Sequence, residues 1–500
     1  MEHSSPEFRE KEIVTIMAQT YHNFIGGEWS PPAGGTFEIR DPANTDEVVG
    51  LFPLATEDEV HAAIGAAAEA QPAWGDLPGP QRGEVLYRAA EIIRQRADEM
   101  ARDLTREEGK TLAESKGEVL RAADILDYFA GEGRRMGGET LPAETPHTLL
   151  YTSRMPLGVV AIITPWNFPI AIPTWKIAPA LISGNAVVFK PASQAPLTAL
   201  HLAEVLDAAG LPKGVLNYVT GSGSKVGNTL VNDERIDGVS FTGSYDVGIS
   251  IYQQTAKRML RTQLELGGKN PLIVASDADL DKAVTLAARG GFGLTGQACT
   301  ATSRVIVERP VVREFTERLT AYARSMKVGP GLAEGTQMGP AVSSQQRETD
   351  LEYIEIGQNE GAKLVTGGSG GAGNGQEHGH FVAPTVFADV RPDMRIAQEE
   401  IFGPVISVIE AGDFDEAIKI ADGVGYGLAA SICTNDLRKA LRFAERIEAG
   451  LVKVNQPTTG VPLHAPFGGF KMSSSGTFKE QGKTAVDFYT RIKTVSIEVG

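Results

Sequence analysis

Short, nearly continuous apolar runs recur through the middle of the chain: GVVAIITP (158–165), NAVVFKP (185–191), GVLNYVTG (214–221), GVSFTG (238–243) and NPLIVAS (270–276). They are rich in β-branched residues and carry no alternating polar face, so each reads as a strand buried on both sides. The segments between them have helical spacing, and such alternation implies βαβ units around a parallel sheet. A second alternation follows, with SRVIVE (303–308), VREFTERLTAYARSM (312–326), VISVIEAG (405–412), DEAIKIAD (415–422) and LAASICTN (428–435). Five hundred residues exceed what one core organises, and two α/β domains are expected.

The flanking segments read differently. TEDEVHAAIGAAAEA (56–70) places Thr56 and Glu59 at capping-box spacing before Val60, Ile64 and Ala68 on one face. A second helical stretch covers 86–109 and a third 111–131. GGETLPAETPHTLLYTSRMPLG (137–158) reads as a hairpin excursion. The tail TRIKTVSIEVG (490–500) alternates apolar and polar residues without a strand partner nearby in sequence. It is expected to join a sheet with the excursion or with another subunit. GGSGGAGNGQEHGH (367–380) reads as a flexible insertion. Its paired histidines on a glycine-rich loop favour solvation over a metal, and no metal is expected.

The net charge of −16 argues against a nucleic-acid or anionic-membrane partner. No apolar run approaches the ~18 residues a spanning helix needs. Residues 1–17 read as a flexible extension, too charged for a signal peptide, and Met17 could serve as an alternative start. The two cysteines, Cys299 and Cys433, cannot build a disulfide framework, which points to the cytoplasm. Cys433 lies in an apolar run and reads as packing. Cys299 sits in FGLTGQACTATS (292–303), among small and polar neighbours, a setting suited to a thiol that reacts. Gly293 and Gly296 are read as letting backbone approach closely there.

Other stretches offer partners, each with a plainer alternative. Gly243 and Ser244 end a strand before a helix start with Gly248, where amides suit a pyrophosphate, or merely connect two elements. GSGSKVG (221–227) has one residue too many for a dinucleotide fingerprint. Lys190 closes the strand NAVVFK and points to the ligand crevice of such sheets, or only to solvent. In LELGGKNP (264–271), Glu265 is a carboxylate in apolar surroundings, suited to a base near neutrality or to an ion pair with Lys269. Asn167, in ITPWNFPI (163–170), can donate to an oxyanion or cap its turn.

Taken together, LELGGKN followed 34 residues later by Cys299 resembles the two active-site signatures of the aldehyde dehydrogenase superfamily. PWNFP, FKPAS, FTGS, EEIFGPV (399–405) and APFGGFKMSSSG (465–476) follow in that family's order, over roughly residues 20 to 500. The resemblance implies an α/β fold with a Rossmann-like NAD(P)-binding domain (18–132 and 157–266). It further implies a catalytic domain (267–483) and a small β oligomerisation flap (133–156 and 484–500). It makes Cys299 the nucleophile, Glu265 the general base, Asn167 half of the oxyanion hole, and Lys176 a neighbour of the base and its proton path. Lys190, Ser193, Gly243, Ser244, Leu266, Glu400, Phe402 and Trp166 fall at cofactor positions, and Phe168 and Phe467 at the substrate tunnel.

The implied reaction oxidises an aldehyde to an acid through a cysteine thiohemiacetal and thioester. Glu265 argues against the CoA-acylating branch, which lacks this glutamate. Residues 453–482, KVNQPTTGVPLHAPFGGFKMSSSGTFKEQG, resemble the α-ketoglutarate semialdehyde (2,5-dioxovalerate) dehydrogenases, with succinate semialdehyde or broad-specificity enzymes as the alternative. A cysteine hydrolase would need a histidine partner, and only His464 lies in a motif. Many NAD-preferring relatives carry a ribose-binding glutamate three positions after the lysine; Ser193 stands there and implies that NADP is preferred over NAD. A homodimer or tetramer is expected, with the tail strand completing an intersubunit sheet.

Overall fold

The structure, a computed structural model, describes residues 18–370 and 378–498. The expected extension at 1–17 and half of the glycine-rich insertion (371–377) lie outside the described residues. At the amino-terminal side, Glu57–Asp76 forms a helix opened by the expected capping box. Thr56 Oγ1 accepts from the Glu59 N–H at 3.2 Å, and Glu59 accepts from the Thr56 N–H at 2.8 Å. A second capping box, Thr111 with Glu114, opens the helix Leu112–Glu132.

One expectation fails here. The single helical stretch at 86–109 is part of two helices, Gly79–Gln95 and Ala97–Glu108, broken at Arg96 (φ −96°, ψ 7°). The Arg96 guanidinium is tied to Glu99 at 3.1 Å and Glu204 at 3.0 Å. The second helix packs on Pro196–Ala208, where Asp103 meets His201 at 2.9 Å. Periodicity alone carries no record of the break.

The apolar runs form two seven-stranded sheets. In the first, Arg261–Glu265, Gly238–Thr242, Val159–Ile163, Ala186–Lys190 and Leu216–Tyr218 lie parallel in that spatial order. Antiparallel Asn23–Ile25 and Glu28–Ser30 extend its edge. The central strands are buried along their whole length, which is why their sequences show no polar alternation. The chain steps outward from Val159–Ile163 through two strands, then returns to place Gly238–Thr242 on its other side. The crevice beyond the carboxyl ends of these two strands is therefore a topological switch point, where such sheets bind ligands.

The second sheet runs Lys363–Thr366, Thr385–Ala388, Val405–Ala411, Thr302–Glu308, Asn270–Val274, Ala429–Cys433, Leu451–Val454, parallel except at its first strand. Cys433 ends one of these strands, 2% exposed, as packing requires. The tail Thr490–Glu498 pairs antiparallel with Thr148–Pro156, and Thr140–Leu141 completes a small separate sheet. Of the two partners considered for the tail, the excursion is the one it takes within the chain.

Candidate active site

Cys299 follows the helix Leu280–Phe292 and a tight turn in which Leu294 (φ 53°), Thr295 (φ 57°) and Gly296 (φ 70°) are all left-handed. A Cβ on Gly296 would stand 2.2 Å from the Gly403 carbonyl, so glycine is required for this loop to lie against 401–404. Gly293 makes no such approach: its Cβ would lie 4.0 Å from the nearest atom, correcting the reading that paired the two glycines. The Asn270 amide donates to the Cys299 and Ala301 carbonyls at 2.8 and 2.9 Å, pinning the loop to the second sheet.

Two cavities meet at Cys299. The first, about 290 Å³, occupies the switch point between the sheets and is lined by Trp166, Asn167, Gly243, Ser244, Leu266, Gly267, Glu400 and Phe402. Ser244 caps the helix Tyr245–Ala256 without a side-chain hydrogen bond, which leaves first-turn amides open to an anion. Glu400 accepts from the Gly268 N–H at 2.8 Å, and a Cβ on Gly267 would sit 2.0 Å from its carboxylate. Burial pushes Glu400 up to about 7. Phe402 is held left-handed (φ 63°) and meets the Trp166 ring edge-on at 5.3 Å.

Lys190 ends its strand 4% exposed, donating to the Pro191 carbonyl at 3.0 Å and, among the described residues, pairing with no carboxylate. Burial lowers its pKa to about 8. The solvated reading of Lys190 is thereby corrected, because the sheet and its covering helices enclose the strand end. Ser193 donates to the Gly221 carbonyl at 3.2 Å, which brings FKPAS against the GSGSKVG turn. That turn is π-helical over Gly223–Gly227.

The second cavity, about 370 Å³, opens on the opposite side of Cys299 and is lined by Phe168, Phe467, Trp175, Val461, Arg121 and Gln481 among others. Phe467 packs against Trp175 with ring centroids 5.7 Å apart. No histidine lines either cavity, and His464 is exposed, so the thiol lacks the partner a cysteine hydrolase would need. His378 stands against Asp46 at 3.3 Å, and among the described residues no His/Cys/Asp/Glu cluster could hold a metal.

Glu265 ends the edge strand of the first sheet, 2% exposed. Ser474 donates to its Oε1 at 3.1 Å, while Oε2 has no partner among the described residues. Burial raises its pKa well above the usual carboxylate range, and Glu480 adds to the shift; Lys176 and Lys479 oppose it. Lys269 is not its ion-pair partner, for the charges that face that lysine are Arg304, Glu400 and Glu399. Lys176 is fully buried, donates to Ser240 Oγ at 2.9 Å and pairs with Glu480. Burial likewise pushes the Cys299 thiol far up, reinforced by Glu400, Glu265 and Glu480.

Asn167 does not cap its own turn. Its amide donates to the Gln297 carbonyl at 3.0 Å, and its Oδ1 has no partner. Its backbone carbonyl accepts from Lys110 Nζ at 2.7 Å, and that ammonium also binds Glu118 at 2.7 Å. Glu118 in turn accepts the N–H groups of Ile170 and Ala171 at 3.1 and 3.2 Å, fixing the loop PWNFP to the helix Leu112–Glu132.

The Aldehyde dehydrogenase family matches residues 29–495. The chain belongs to that family. It is 52% identical over 480 residues to an alpha-ketoglutarate semialdehyde dehydrogenase of Haloferax volcanii, covering 96% of this chain and 99% of that one. It is 48% identical to a 2,5-dioxopentanoate dehydrogenase of Saccharolobus solfataricus, over 94% of this chain and 98% of the relative. An alpha-ketoglutaric semialdehyde dehydrogenase of Bacillus subtilis is 47% identical, over 97% and 99%. Among solved structures, betaine aldehyde dehydrogenase of Staphylococcus aureus in complex with NAD+ has a TM-score of 0.93 at 35% identity, covering 96% of this chain and 94% of that one. The fold is thus the aldehyde dehydrogenase fold, and the chain is an oxidoreductase of that family.

Several residues of this aldehyde dehydrogenase site were absent from the sequence reading: Lys110, Glu118, Arg121, Trp175, Lys479, Glu480 and Gln481. Three of these lie in FKEQG, within the very stretch used for the substrate resemblance. A charged pair beside PFGG was the available signal. Glu118 and Arg121 gave none, since charged residues on a long helix read as a solvated face.

Proposed function

We propose that this aldehyde dehydrogenase oxidises α-ketoglutarate semialdehyde (2,5-dioxopentanoate) to α-ketoglutarate with a nicotinamide dinucleotide, NADP+ in preference to NAD+. The observation that supports the chemistry is Cys299 at the junction of two cavities, with Asn167 lining one of them and the Glu265 charge acting on the thiol. The names of the three relatives at 47–52% identity support the substrate.

The switch-point cavity fits a dinucleotide. Open helix amides behind Ser244, a buried lysine without an acidic partner, and the orphaned hydroxyls of Thr164 and Thr242 are the donors such a ligand would satisfy. Lys190 and Ser193 would hold the adenosine ribose, Gly243 and Ser244 the pyrophosphate, and Glu400 the nicotinamide ribose, beside Trp166, Leu266 and Phe402. The bound nicotinamide supplies the acceptor for hydride. A carboxylate at position 193 would repel a 2′-phosphate; Ser193 removes that charge, and Lys190 supplies the opposite one.

The remaining steps belong to this chain. Cys299 adds to the aldehyde carbon as thiolate, and the oxygen of the adduct is received by the Asn167 amide and the Cys299 N–H. Each such donor is worth ~3 kcal/mol in the transition state. Glu265, with one oxygen unpartnered, takes a proton from the water that hydrolyses the thioester. Lys176 and Glu480 set its charge environment.

The same reading assigns 18–132 and 157–266 to cofactor binding, 267–483 to catalysis, and the small sheet of 133–156 and 484–500 to assembly. That sheet exposes Leu149, Met155, Ile492 and Ile497, which supports a homodimer or tetramer. A stable monomer by light scattering at micromolar concentration would overturn the assembly. Among the described residues no helix is long and apolar enough to cross a membrane, and two unpaired cysteines are in keeping with a cytoplasmic setting. The function is tested by a panel of aldehydes with both cofactors, followed by the near-ultraviolet absorbance of reduced nicotinamide. A preference for long-chain, aromatic or trimethylammonium aldehydes would overturn the substrate.

A further inference from the structure

The cavity on the far side of Cys299 has a mostly aromatic and aliphatic wall with a few polar groups, and most of these are already engaged. Glu114, Gly117, Glu118 and Arg121 present one face of the helix Leu112–Glu132 to it, at the spacing that stacks side chains along a helix. Glu114 accepts from the Leu294 N–H at 2.8 Å and from the Thr111 N–H at 2.9 Å. Glu118 is saturated by Lys110 and two backbone amides. A Cβ on Gly117 would meet nothing within 4 Å, so this face borders open space. Lys453, behind the loop that closes the cavity, spends its ammonium on the carbonyls of Thr458, Thr459 and Gly460.

Arg121 and Gln481 are different. Arg121 is half-buried, donates to the Val461 carbonyl, and makes no ion pair among the described residues. A guanidinium has five donors in a fork that matches a carboxylate, so most of its capacity is unspent. Gln481 is 2% exposed and lines the same cavity, and among the described residues its Nε2 donates no hydrogen bond and its Oε1 accepts none. It is also held left-handed at φ 58°, a conformation that a non-glycine residue adopts only under constraint. Among the described residues the cavity therefore offers one cation without an ion pair and one amide N–H group free to donate, beside the two glutamates that are already engaged.

We propose that Arg121 and Gln481 recognise the 2-oxo-acid end of the substrate, Arg121 binding the carboxylate and the Gln481 amide donating to the 2-oxo oxygen. The assignment rests on the semialdehyde reading for its substrate, and on the cavity for its residues. An anion held there directs the aldehyde end toward Cys299, and an aldehyde lacking the anion leaves both groups without a partner in a low-dielectric space.

The test measures kcat/KM for α-ketoglutarate semialdehyde, glutarate semialdehyde and pentanal in the wild type, Arg121→Met, Arg121→Lys and Gln481→Met. Arg121→Met is expected to lower the α-ketoglutarate semialdehyde to pentanal ratio roughly 30-fold, mainly through KM, and Arg121→Lys to lower it less. Gln481→Met is expected to lower the α-ketoglutarate semialdehyde to glutarate semialdehyde ratio about fivefold. Ratios within about twofold of wild type in both Met variants overturn the assignment, since a residue that merely props the Val461 loop affects every aldehyde alike. Should the wild type itself prefer pentanal, the semialdehyde reading falls by that result alone. Competition by glutarate against pentanal, lost in Arg121→Met, would then still support the anion site; equal competition in both proteins would overturn it.

Discussion

On the switch-point side of Cys299 the cavity wall is drawn from the turns and loops at strand ends: the turn after Gly238–Thr242, the loop after Val159–Ile163, and Gly267 against Glu400. On the other side the wall is side chains drawn from the helix Leu112–Glu132, the loop of Phe168, the 459–461 loop and the segment around Gln481. On the proposed function, the first kind of wall would receive the dinucleotide. The second can be rewritten one side chain at a time without disturbing the sheets, so it is where substrate identity resides.

Replacing Cys299, which both walls share, should have the largest effect. Cys299→Ala is expected to lower aldehyde oxidation by at least about 10⁴-fold and to remove any ester hydrolysis. Residual turnover near wild type would break the comparison at its root. Glu265→Gln should follow, with turnover down roughly 10²- to 10⁴-fold while the thioester on Cys299 accumulates, visible as added protein mass in rapid-quench samples. The pH profile sharpens this prediction. Burial favours protonated Glu265, whereas a base acts only when deprotonated, so thioester hydrolysis should rise with pH through the raised pKa. Its acid limb should climb about tenfold per pH unit and be absent in Glu265→Gln. A profile with the same limb in both proteins would assign the titration elsewhere.

Smaller effects should separate the two walls. Gly267→Ala places a methyl where Glu400 now lies, so the cofactor KM should rise about tenfold while the ranking of aldehydes stays as it was. A changed aldehyde ranking would mean the walls are not independent. Ser193→Glu should be the mildest, lowering the NADP+/NAD+ ratio of kcat/KM about tenfold, ~1.4 kcal/mol. An unchanged ratio would remove Ser193 from cofactor choice.

The two walls also differed in how readable they were. Gly243 and Ser244, Lys190 and the Glu400 motif each sit in a run of neighbours whose order along the chain reports a turn, a strand end or a loop. The break at Arg96 was hidden, because its guanidinium is tied to Glu204, 108 positions on, as well as to its neighbour Glu99. Glu480 was hidden within a legible motif: its partner Lys176 stands 304 positions away. Arg121 was hidden altogether, on a helix whose charged residues all look alike until the carbonyl of Val461, 340 positions on, comes to rest beside it.

By itself, then, the sequence determined the buried parallel strands, although it grouped 270–276 with the first sheet rather than the second, the capped helix Glu57–Asp76, the helix over Leu112–Glu132, and a cysteine in small polar surroundings set apart from its packing counterpart. Hydrophobic period, capping spacing and local turn chemistry act over a few residues and are written consecutively in the chain. Only the tertiary structure decided that the tail pairs with 148–156, that burial and neighbouring carboxylates push the pKa of both Glu265 and Cys299 up, and that Arg121 and Gln481 line the same cavity as the thiol. Those outcomes depend on which distant groups desolvate and charge one another. Burial and Coulomb interaction act through space, and separation along the chain does not record it.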